Sequence, residues 1–284
     1  MSKLIFGCGY LGSRVARRWL EAGEEVHVVT RSRDRAARLE QDGLRAIVAD
    51  VTLPETLNDL PPAPTVLYAV GMDHSSGRTM REVYVDGLRA VLDRLPESTS
   101  RIIYISSLGV YGQSDGSWID ETSPSEPTRE AGRICLAAES LLAEHPLGDR
   151  RVVLRLAGLY GGGRVPNRRA LEEGEPISAL PDAFLNLIHV DDAATVVLAA
   201  EHSATEALYL VSDGQPIERR EYYREAARRL NAPTPQFAPP SDDAPTRKRG
   251  GSNKRASNKR MLQDLSVELR YPSYREGLAA ALGD

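Results

Sequence analysis

Three glycines near the start of the chain have a spacing that suits phosphate binding. Gly7, Gly9 and Gly12 form the pattern G-x-G-x-x-G, with Tyr10 and Leu11 between the last two. In this pattern the first glycine permits a tight turn, the second lets the backbone approach a pyrophosphate, and the third lets a helix pack close to a strand. We therefore expect these five residues to form a dinucleotide-binding loop.

The flanking sequence supports this hypothesis, because a strand and a helix must hold such a loop. Residues 3–6 have strand character, and residues 13–20 follow the last glycine with a helical pattern. The N-terminus of that helix would present free backbone N–H groups and the positive end of its dipole to the phosphates. An ordinary turn is the alternative, since glycines also mark turns.

The end of the second strand suggests which dinucleotide the loop would bind. Glu25–Thr30 has strand character, and an acidic residue at its end would hold the ribose hydroxyls of NAD. The chain continues with Arg31 and Ser32 instead. An arginine can bind the 2′-phosphate of NADP with two charge-assisted hydrogen bonds, so the sequence favours NADP over NAD. In the alternative interpretation, Arg31 and Arg33 are solvated residues at the start of a helix.

Further candidate contacts follow the third and fourth strands. Asp50 comes after residues 44–49, and it could accept a hydrogen bond from an adenine amino group, cap the helix that follows, or do both. Residues 65–71 form the fourth strand and end in small residues that would allow a cofactor to approach closely. The carboxyl ends of parallel strands face the ligand crevice. We therefore expect contacts from Asp50, Val51, Ala69, Val70 and Gly71.

The order of the elements indicates the fold class. Strands alternate with helices through most of the chain, including a predicted helix over residues 80–95. This order predicts an α/β fold with a Rossmann-type doubly wound parallel sheet. Residues 1–160 would form the nucleotide-binding domain, to which residues 185–212 return. Residues 161–184 and 213–284 would form a smaller, discontinuous C-terminal substrate lobe.

Three further motifs give the chain a resemblance to a known family. Ser106 and Ser107 begin the segment S-S-L-G-V-Y-G, residues 154–161 read L-R-L-A-G-L-Y-G, and residues 188–192 read I-H-V-D-D. With the glycine loop, these motifs occur in the order seen in extended short-chain dehydrogenases/reductases, and the chain resembles their NAD(P)-dependent epimerase/dehydratase group. The resemblance implies an NADP or NAD cofactor, with Ser106 and Gly158 near it.

The resemblance also implies where chemistry would occur. In this family a hydride moves between nicotinamide and a carbon, a serine hydrogen-bonds the substrate oxygen, and a tyrosine–lysine pair moves its proton. Ser107 stands in the register of the serine. Gly132 and Glu139 set the register of the next helix, where Ala131 occupies the tyrosine position and Cys135 the lysine position. The chain thus resembles atypical members that have lost the catalytic pair.

The missing pair leaves two hypotheses about function. In the first, the protein is an oxidoreductase or epimerase-like enzyme on an unidentified small substrate, and Tyr111 or water supplies the proton. Tyr111 could instead be a packing residue. In the second, the protein is a non-catalytic NAD(P)-binding redox sensor. Residues 247–260 are rich in Lys and Arg and contain no acidic residue. They could bind a phosphorylated or nucleotide-linked substrate, or form a solvated loop.

Composition narrows the remaining possibilities. The 284 residues carry a formal net charge of −4, which gives no reason to expect nucleic-acid binding. We expect no membrane span, because no apolar run approaches the roughly 18 residues required, and the lack of a signal-peptide pattern favours a cytoplasmic protein. His189 with Asp191 and Asp192 forms an incomplete ligand set, so we expect no metal site. The family resemblance allows a homodimer.

Overall fold

A seven-stranded sheet forms the centre of the computed structural model, which describes residues 1–240 and 252–283. Neighbouring strands of this sheet all run parallel. The strands are, in chain order, β1 (Ser2–Phe6), β2 (Glu25–Thr30), β3 (Arg45–Val48), β4 (Thr65–Tyr68), β5 (Arg101–Ser107), β6 (Arg151–Leu156) and β7 (Leu208–Val211).

The strand order places a topological switch beside β1. Across the sheet the order is β7-β6-β5-β4-β1-β2-β3, so the chain moves outward from β1 to β3 and then returns to the other side of β1 with β4. At such a reversal the crossover connections diverge, which leaves a crevice at the carboxyl ends of β1 and β4. The predicted Rossmann-type doubly wound sheet is confirmed.

Helices connect the strands and cover both faces of the sheet. Helix α2 (Arg33–Gln41) and helix α9 (Tyr274–Leu282) each begin after a serine, Ser32 or Ser273, whose hydroxyl accepts a backbone N–H of the first turn. None of the helices in residues 1–240 and 252–283 has the length and apolar character needed to cross a bilayer. The α-helices of this part of the chain are α1 (Gly12–Glu21), α2 (Arg33–Gln41), α3 (Gly87–Leu92), α4 (Glu130–Glu144), α5 (Arg168–Glu173), α6 (Val190–Ser203), α7 (Arg219–Arg229), α8 (Lys259–Leu265) and α9 (Tyr274–Leu282).

The predicted helix over residues 80–95 contains a change of helix type. Glu82–Asp86 forms a wider π-helical turn before α3 begins at Gly87. Such turns are frequent at functional sites. A Cβ on Gly87 would lie 2.8 Å from Cγ2 of Val51, so glycine lets this helix approach the segment after β3. Hydrophobic periodicity gives no signal for the π turn.

Buried side chains form one hydrophobic cluster on each face of the sheet. One cluster contains Val15 and Trp19 of α1 with residues of α6 and α8, and the other contains Leu88 of α3 with Leu142 of α4. A third cluster lies outside the sheet and joins α5, α7 and α9 through residues such as Tyr222. Burial of apolar surface in these clusters is the main favourable contribution to folding.

The pairing of short strands outside the central sheet was not predicted, because two or three residues are too few to show an alternating pattern. The lobe boundaries stay a prediction. Helix α8, which lies within residues 213–284, packs against α6 and β7 rather than in the third cluster. The short strand pairs outside the central sheet are Trp118–Ile119 with Arg255–Ala256, Gly158–Tyr160 with Leu187–His189, Ile177–Ser178 with Phe237–Ala238, and Phe184–Leu185 with Ile217–Glu218.

Candidate cofactor-binding site

A cavity of about 920 Å³ lies at the carboxyl edge of the sheet. Its lining comes from the ends of β1 to β5, which the strand order brings together on both sides of the switch point. A volume of this size is in the range of small-molecule and cofactor sites. The predicted site residues that line it are Gly7, Gly9, Tyr10, Leu11, Arg31, Ser32, Asp50, Val51, Ala69, Val70, Gly71, Ser106 and Ser107.

The three glycines of the loop have different surroundings. Gly7 has a φ of +90°, and a Cβ there would lie 2.3 Å from the carbonyl oxygen of Ala69. A Cβ on Gly12 would lie 2.3 Å from the carbonyl oxygen of Gly7, so Gly12 serves the close packing of α1 rather than the cavity lining. At Gly9 a Cβ would meet no atom within 4 Å. The open space at Gly9 fits the approach of a pyrophosphate to the backbone.

Tyr10 joins the glycine loop to the second half of the chain. Its hydroxyl donates a hydrogen bond to the carbonyl oxygen of Gly162 at 3.2 Å. The guanidinium carbons of Arg14 and Arg164 lie 4.4 and 5.5 Å from the centre of its ring. Arg164 also lines the cavity. This cluster places two positive charges close to the loop that is predicted to hold phosphates.

The residues after β2 form the rim at one end of the cavity. Nη2 of Arg31 lies 2.6 Å from Oδ2 of Asp73. The Ser32 hydroxyl accepts the backbone N–H of Arg35 and so caps α2. Arg35 lines the cavity and donates to the backbone carbonyl of Cys8 in the glycine loop. Arg35 was not predicted, although its position one helical turn after Arg31 was a usable signal.

The side chain of Asp50 stabilises a local turn and does not cap a helix. Its Oδ1 accepts hydrogen bonds from the backbone N–H and the hydroxyl of Thr52, each at 2.8 Å. The short helix that follows, Pro54–Leu57, begins after Leu53 without a side-chain cap. The capping prediction was therefore wrong, because the chain turns once more before the helix starts. Asp50 lines the cavity, and its contact with an adenine group stays a prediction.

Ser106 and Ser107 at the end of β5 have different surroundings. The Ser107 side chain is exposed, and its Oγ accepts the backbone N–H of Gly109 at 3.0 Å. Ser106 is buried and donates its hydroxyl to Oε1 of Glu139 on α4. Successive side chains of a strand point to opposite faces. Of the two serines, Ser107 is therefore the one whose hydroxyl is available to a ligand.

The positions of the missing catalytic pair lie on the first turns of α4. Ala131 is exposed and lies outside the cavity, whereas Cys135 lines it. Three tyrosines that were not predicted as site residues line the same cavity, namely Tyr68, Tyr84 and Tyr104. The hydroxyl oxygen of Tyr84, on the π turn, accepts the backbone N–H of Met72 at 3.0 Å. Tyr104 on β5 is buried, and this burial raises its pKa well above the usual value.

Tyr111 lies in the protein interior and not in the cavity. Its side chain is 2% exposed, and its hydroxyl donates to the backbone carbonyl of Asp120 at 3.0 Å. The guanidinium carbon of Arg155 lies 4.8 Å from the centre of its ring. Burial raises the pKa of Tyr111 to about 12. The structure supports the alternative that Tyr111 is a packing residue, because the helical turn Leu108–Val110 separates it from Ser107 and redirects the chain.

Gly158 also lies outside the cavity, although its neighbour Leu159 lines it. A Cβ on Gly158 would lie 3.2 Å from the carbonyl oxygen of Asn186, so glycine here permits close contact between two chain segments. The predicted position near the cofactor is thus one residue away from the side chain that the cavity presents. Alignment with a family motif does not reveal which residue of this segment lines the cavity.

Charges in the lining favour an anionic ligand. Arg31, Arg35, Arg78 and Arg164 line the cavity, whereas the acidic residues of the lining are Asp50 and Asp73. A concave surface with an excess of one sign of charge concentrates ligands of the opposite sign. Dinucleotides carry a negative pyrophosphate, so their charge complements this lining.

The basic stretch predicted as an anion subsite is only partly described, because residues 247–251 lie outside the described residues. Lys254 is 4% exposed and donates to the backbone carbonyl of Tyr111. Burial lowers the pKa of Lys254 to about 8. The guanidinium carbon of Arg255 lies 5.2 and 5.1 Å from two aromatic ring centres. Both cations make contacts within the protein and do not line the cavity.

His189, Asp191 and Asp192 hold the start of α6 in place. Nδ1 of His189 accepts the backbone N–H of Asp191 at 3.2 Å. The carboxylate of Asp192 accepts the backbone N–H groups of Arg270 and Tyr271, each at 2.9 Å. Within the described ranges no group of three or more metal-binding side chains is placed to hold an ion. These residues therefore connect α6 to the segment before α9.

The sequence also matches a model of a known family. Residues 4–209 match the NAD dependent epimerase/dehydratase family, and this match covers more than half of the chain. The chain therefore belongs to the NAD-dependent epimerase/dehydratase family. The resemblance inferred from the glycine loop and the serine motif is confirmed.

Individual proteins agree with this assignment. Protein YeeZ of Escherichia coli K12 is 31% identical over 195 residues, which span 67% of this chain and 66% of YeeZ, about two thirds of that relative. A structure described as a putative NAD-dependent epimerase/dehydratase from Methylobacillus flagellatus is 33% identical, with 99% of this chain and 97% of that chain covered and a TM-score of 0.78. The UDP-glucose 4-epimerase of Thermotoga maritima has the same coverage, a TM-score of 0.83 and 17% identity, which shows a shared fold alone.

Proposed function

We propose that this protein binds NADP(H) or NAD(H) in the cavity and acts as an oxidoreductase or epimerase-like enzyme on a small substrate. One observation carries the proposal: a single cavity contains both the glycine loop and Ser107. The loop suits phosphate binding, and the exposed Ser107 hydroxyl can hydrogen-bond a substrate oxygen. Family membership supports the same function.

Each part of the cavity has a role in this proposal. The open backbone at Gly9 and the N-terminus of α1 would hold the pyrophosphate, because their N–H groups are donors for an anion. Arg31 would hold the 2′-phosphate of NADP. Ser107 would hydrogen-bond the reacting oxygen of the substrate. When bound, the nicotinamide cofactor supplies the hydride donor or acceptor.

The proton source differs from the usual arrangement of the family. Ala131 and Cys135 cannot provide a tyrosine–lysine pair, and Tyr111 is buried elsewhere. Tyr84 lines the cavity, and the backbone N–H of Met72 donated to its oxygen would stabilise the phenolate left by proton transfer. We assign the proton transfer to Tyr84 or to solvent.

Cofactor binding is tested by calorimetric titration with NADP, NADPH, NAD and NADH. We expect at least one oxidised and reduced pair to bind, because the cavity offers backbone donors and arginines to the phosphates. If none of the four binds, the proposed function is wrong. A preference for the phosphorylated forms would support the role of Arg31.

Turnover is tested by following cofactor absorbance with a panel of small carbonyl compounds and nucleotide-linked sugars. We expect Ser107→Ala to abolish turnover, because it removes the hydroxyl that contacts the substrate oxygen. The Kd of the cofactor should stay within about twofold, since the hydroxyl is assigned to the substrate. Turnover that survives this change would remove Ser107 from the mechanism.

A non-catalytic redox sensor is the second candidate, and the residues at the catalytic positions favour it. Ala131 offers no proton and Cys135 no fixed positive charge. A sensor would bind oxidised and reduced cofactor without turnover and would change conformation between them. Identical protease sensitivity with the two forms, together with equal affinity, would argue against sensing. Homodimer formation stays a prediction.

A further inference from the structure

An ion pair joins two segments at the rim of the cavity. Arg31 follows β2, and Asp73 lies in the loop after β4, on the other side of the switch point. Their side chains are 48% and 42% exposed, and Nη2 lies 2.6 Å from Oδ2. Both residues line the cavity. The arginine that the sequence assigns to a 2′-phosphate is therefore already bound to a carboxylate.

The Asp73 carboxylate is held in place from its other side. Its Oδ1 accepts the hydroxyl of Ser75 at 2.6 Å and the backbone N–H of Ser75 at 3.0 Å. The Ser76 hydroxyl donates to the backbone carbonyl of Asp73 at 2.7 Å. The hydrogen bonds from Ser75, and then the one from Arg31, lower the pKa of Asp73 to about 2. Asp73 is thus an anion at neutral pH, with Oδ2 directed at Arg31.

We propose that Asp73 is a specificity-determining residue that reduces the preference for NADP(H) which Arg31 alone would produce. A 2′-phosphate must compete with the carboxylate of Asp73 for the same guanidinium, and the two anions repel each other. A 2′-hydroxyl has neither disadvantage, because it can donate a hydrogen bond to the carboxylate. This inference rests on the proposed binding of a nicotinamide dinucleotide in the cavity.

Two other arginines line the cavity near Arg31, but neither is free to replace it as the partner of a 2′-phosphate. Arg35 donates to the carbonyl of Cys8 in the glycine loop, so its guanidinium is engaged in shaping that loop. Arg78 lies in the same loop as Asp73, and its Nη1 is 3.7 Å from a carboxylate oxygen of Glu82. Removal of the Asp73 charge would therefore change the charge next to Arg31 most directly.

The experiment measures the Kd of NADP and NAD by calorimetry for the wild type and Asp73→Asn. Asparagine keeps an oxygen for Ser75 and removes the charge beside Arg31. We expect the affinity for NADP to rise about fivefold, the factor that an exposed ion pair can supply, while the affinity for NAD falls or stays constant. In the Arg31→Ala background the same change should raise the affinity for NADP less, because only the repulsion between the two anions is relieved and no guanidinium is released.

Glu25→Gln is the matched control. Glu25 lies at the other end of β2 and pairs with Arg45 at 2.7 Å in an exposed ion pair of the same kind. We expect it to leave the NADP to NAD ratio of affinities unchanged. If Asp73→Asn binds both dinucleotides with an NADP to NAD affinity ratio within about twofold of the wild type, the role of Asp73 is wrong and the proposed function is unaffected. Failure of the wild type to bind either dinucleotide would overturn the proposed function as well.

Discussion

Gly7 and Gly9 are two positions apart, and the structure restricts the residue type only at Gly7. Gly7 has a left-handed backbone conformation and no room for a Cβ beside Ala69. Gly9 has neither restriction, since a Cβ there would point into open space. The requirement at Gly7 thus belongs to the fold, whereas a requirement at Gly9 would come from the proposed dinucleotide.

Substitution separates these two requirements. We expect Gly9→Val to change the free energy of unfolding by less than about 1 kcal/mol and to weaken cofactor binding at least about tenfold, because the side chain fills the space for the pyrophosphate. Gly7→Ala should cost about 2 kcal/mol or more, through backbone strain and overlap with the carbonyl. Denaturant unfolding and calorimetry measure both effects. Normal cofactor binding by a folded Gly9→Val variant would contradict the assignment of the loop.

The assignment of Tyr84 also belongs to the residue scale. We expect Tyr84→Phe to lower kcat at least about tenfold with little change in cofactor Kd, because it removes a proton that the reaction uses. Tyr111→Phe is the matched control, since its hydroxyl donates to a backbone carbonyl outside the cavity. Steady-state kinetics measure the kcat of both variants. Equal kcat in Tyr84→Phe and the wild type would leave solvent as the proton source.

At the scale of elements, a buried ion pair connects α4 to β6. Nη2 of Arg155 lies 2.6 Å from Oε2 of Glu139, and the two side chains are 6% and 9% exposed. Ser106 donates to the same carboxylate. Glu139 therefore does more than mark the register of the helix, because it links the strand that ends in Ser107 to the helix that carries Cys135.

Because these groups are buried together, we expect a single substitution in this network to destabilise the protein strongly. We expect Glu139→Gln to lower the free energy of unfolding by about 3 kcal/mol or more, because it leaves the Arg155 guanidinium buried without its counter-charge. Glu172→Gln removes an exposed pair with Arg168 at 2.8 Å and should cost less than about 0.5 kcal/mol. Urea unfolding of both variants measures the difference. Similar losses in the two would show that the buried pair is not a structural link.

At the scale of the whole molecule, Asp213 marks the junction between the central sheet and the third hydrophobic cluster. It follows β7, and its N–H donates to the carbonyl of Leu187 at 2.8 Å. Burial, with a smaller contribution from the nearby Asp192 charge, raises its pKa from the ordinary value of 3.8 to about 8, against the hydrogen bond from Gln215. In the described part of the chain, Oδ2 has no hydrogen-bond partner. Asp213 is therefore protonated in the folded protein at neutral pH.

The raised pKa of Asp213 has a definite consequence for stability. Between about pH 4 and pH 8 the folded state binds a proton that the unfolded state has lost, so stability falls as pH rises through this range and then levels off. Asp213→Asn should remove this contribution, so the free energy of unfolding of the variant relative to the wild type should rise up to about pH 8. The exposed Asp59→Asn is the control and should show no such trend. A difference that is independent of pH would mean that Asp213 ionises normally.

Some features of this protein were determined by local sequence. The glycine spacing, the apolar strands and the serine caps of α2 and α9 depend on backbone conformation, periodicity and near neighbours, so the sheet and the glycine loop followed from the residues. The loss of the tyrosine–lysine pair was also visible, because Ala131 and Cys135 could be placed by their distance from Gly132 and Glu139.

Other features required the tertiary structure, because they depend on segments that are far apart in the chain. Tyr111 and Ser107 are four residues apart, yet a helical turn buries one and leaves the other exposed. Arg31 meets Asp73 only because β2 and β4 lie on either side of β1. Tyr84 lines the cavity through a π turn that no hydrophobic period marks. Sequence determined which groups could bind a dinucleotide, and packing decided which of them face one another.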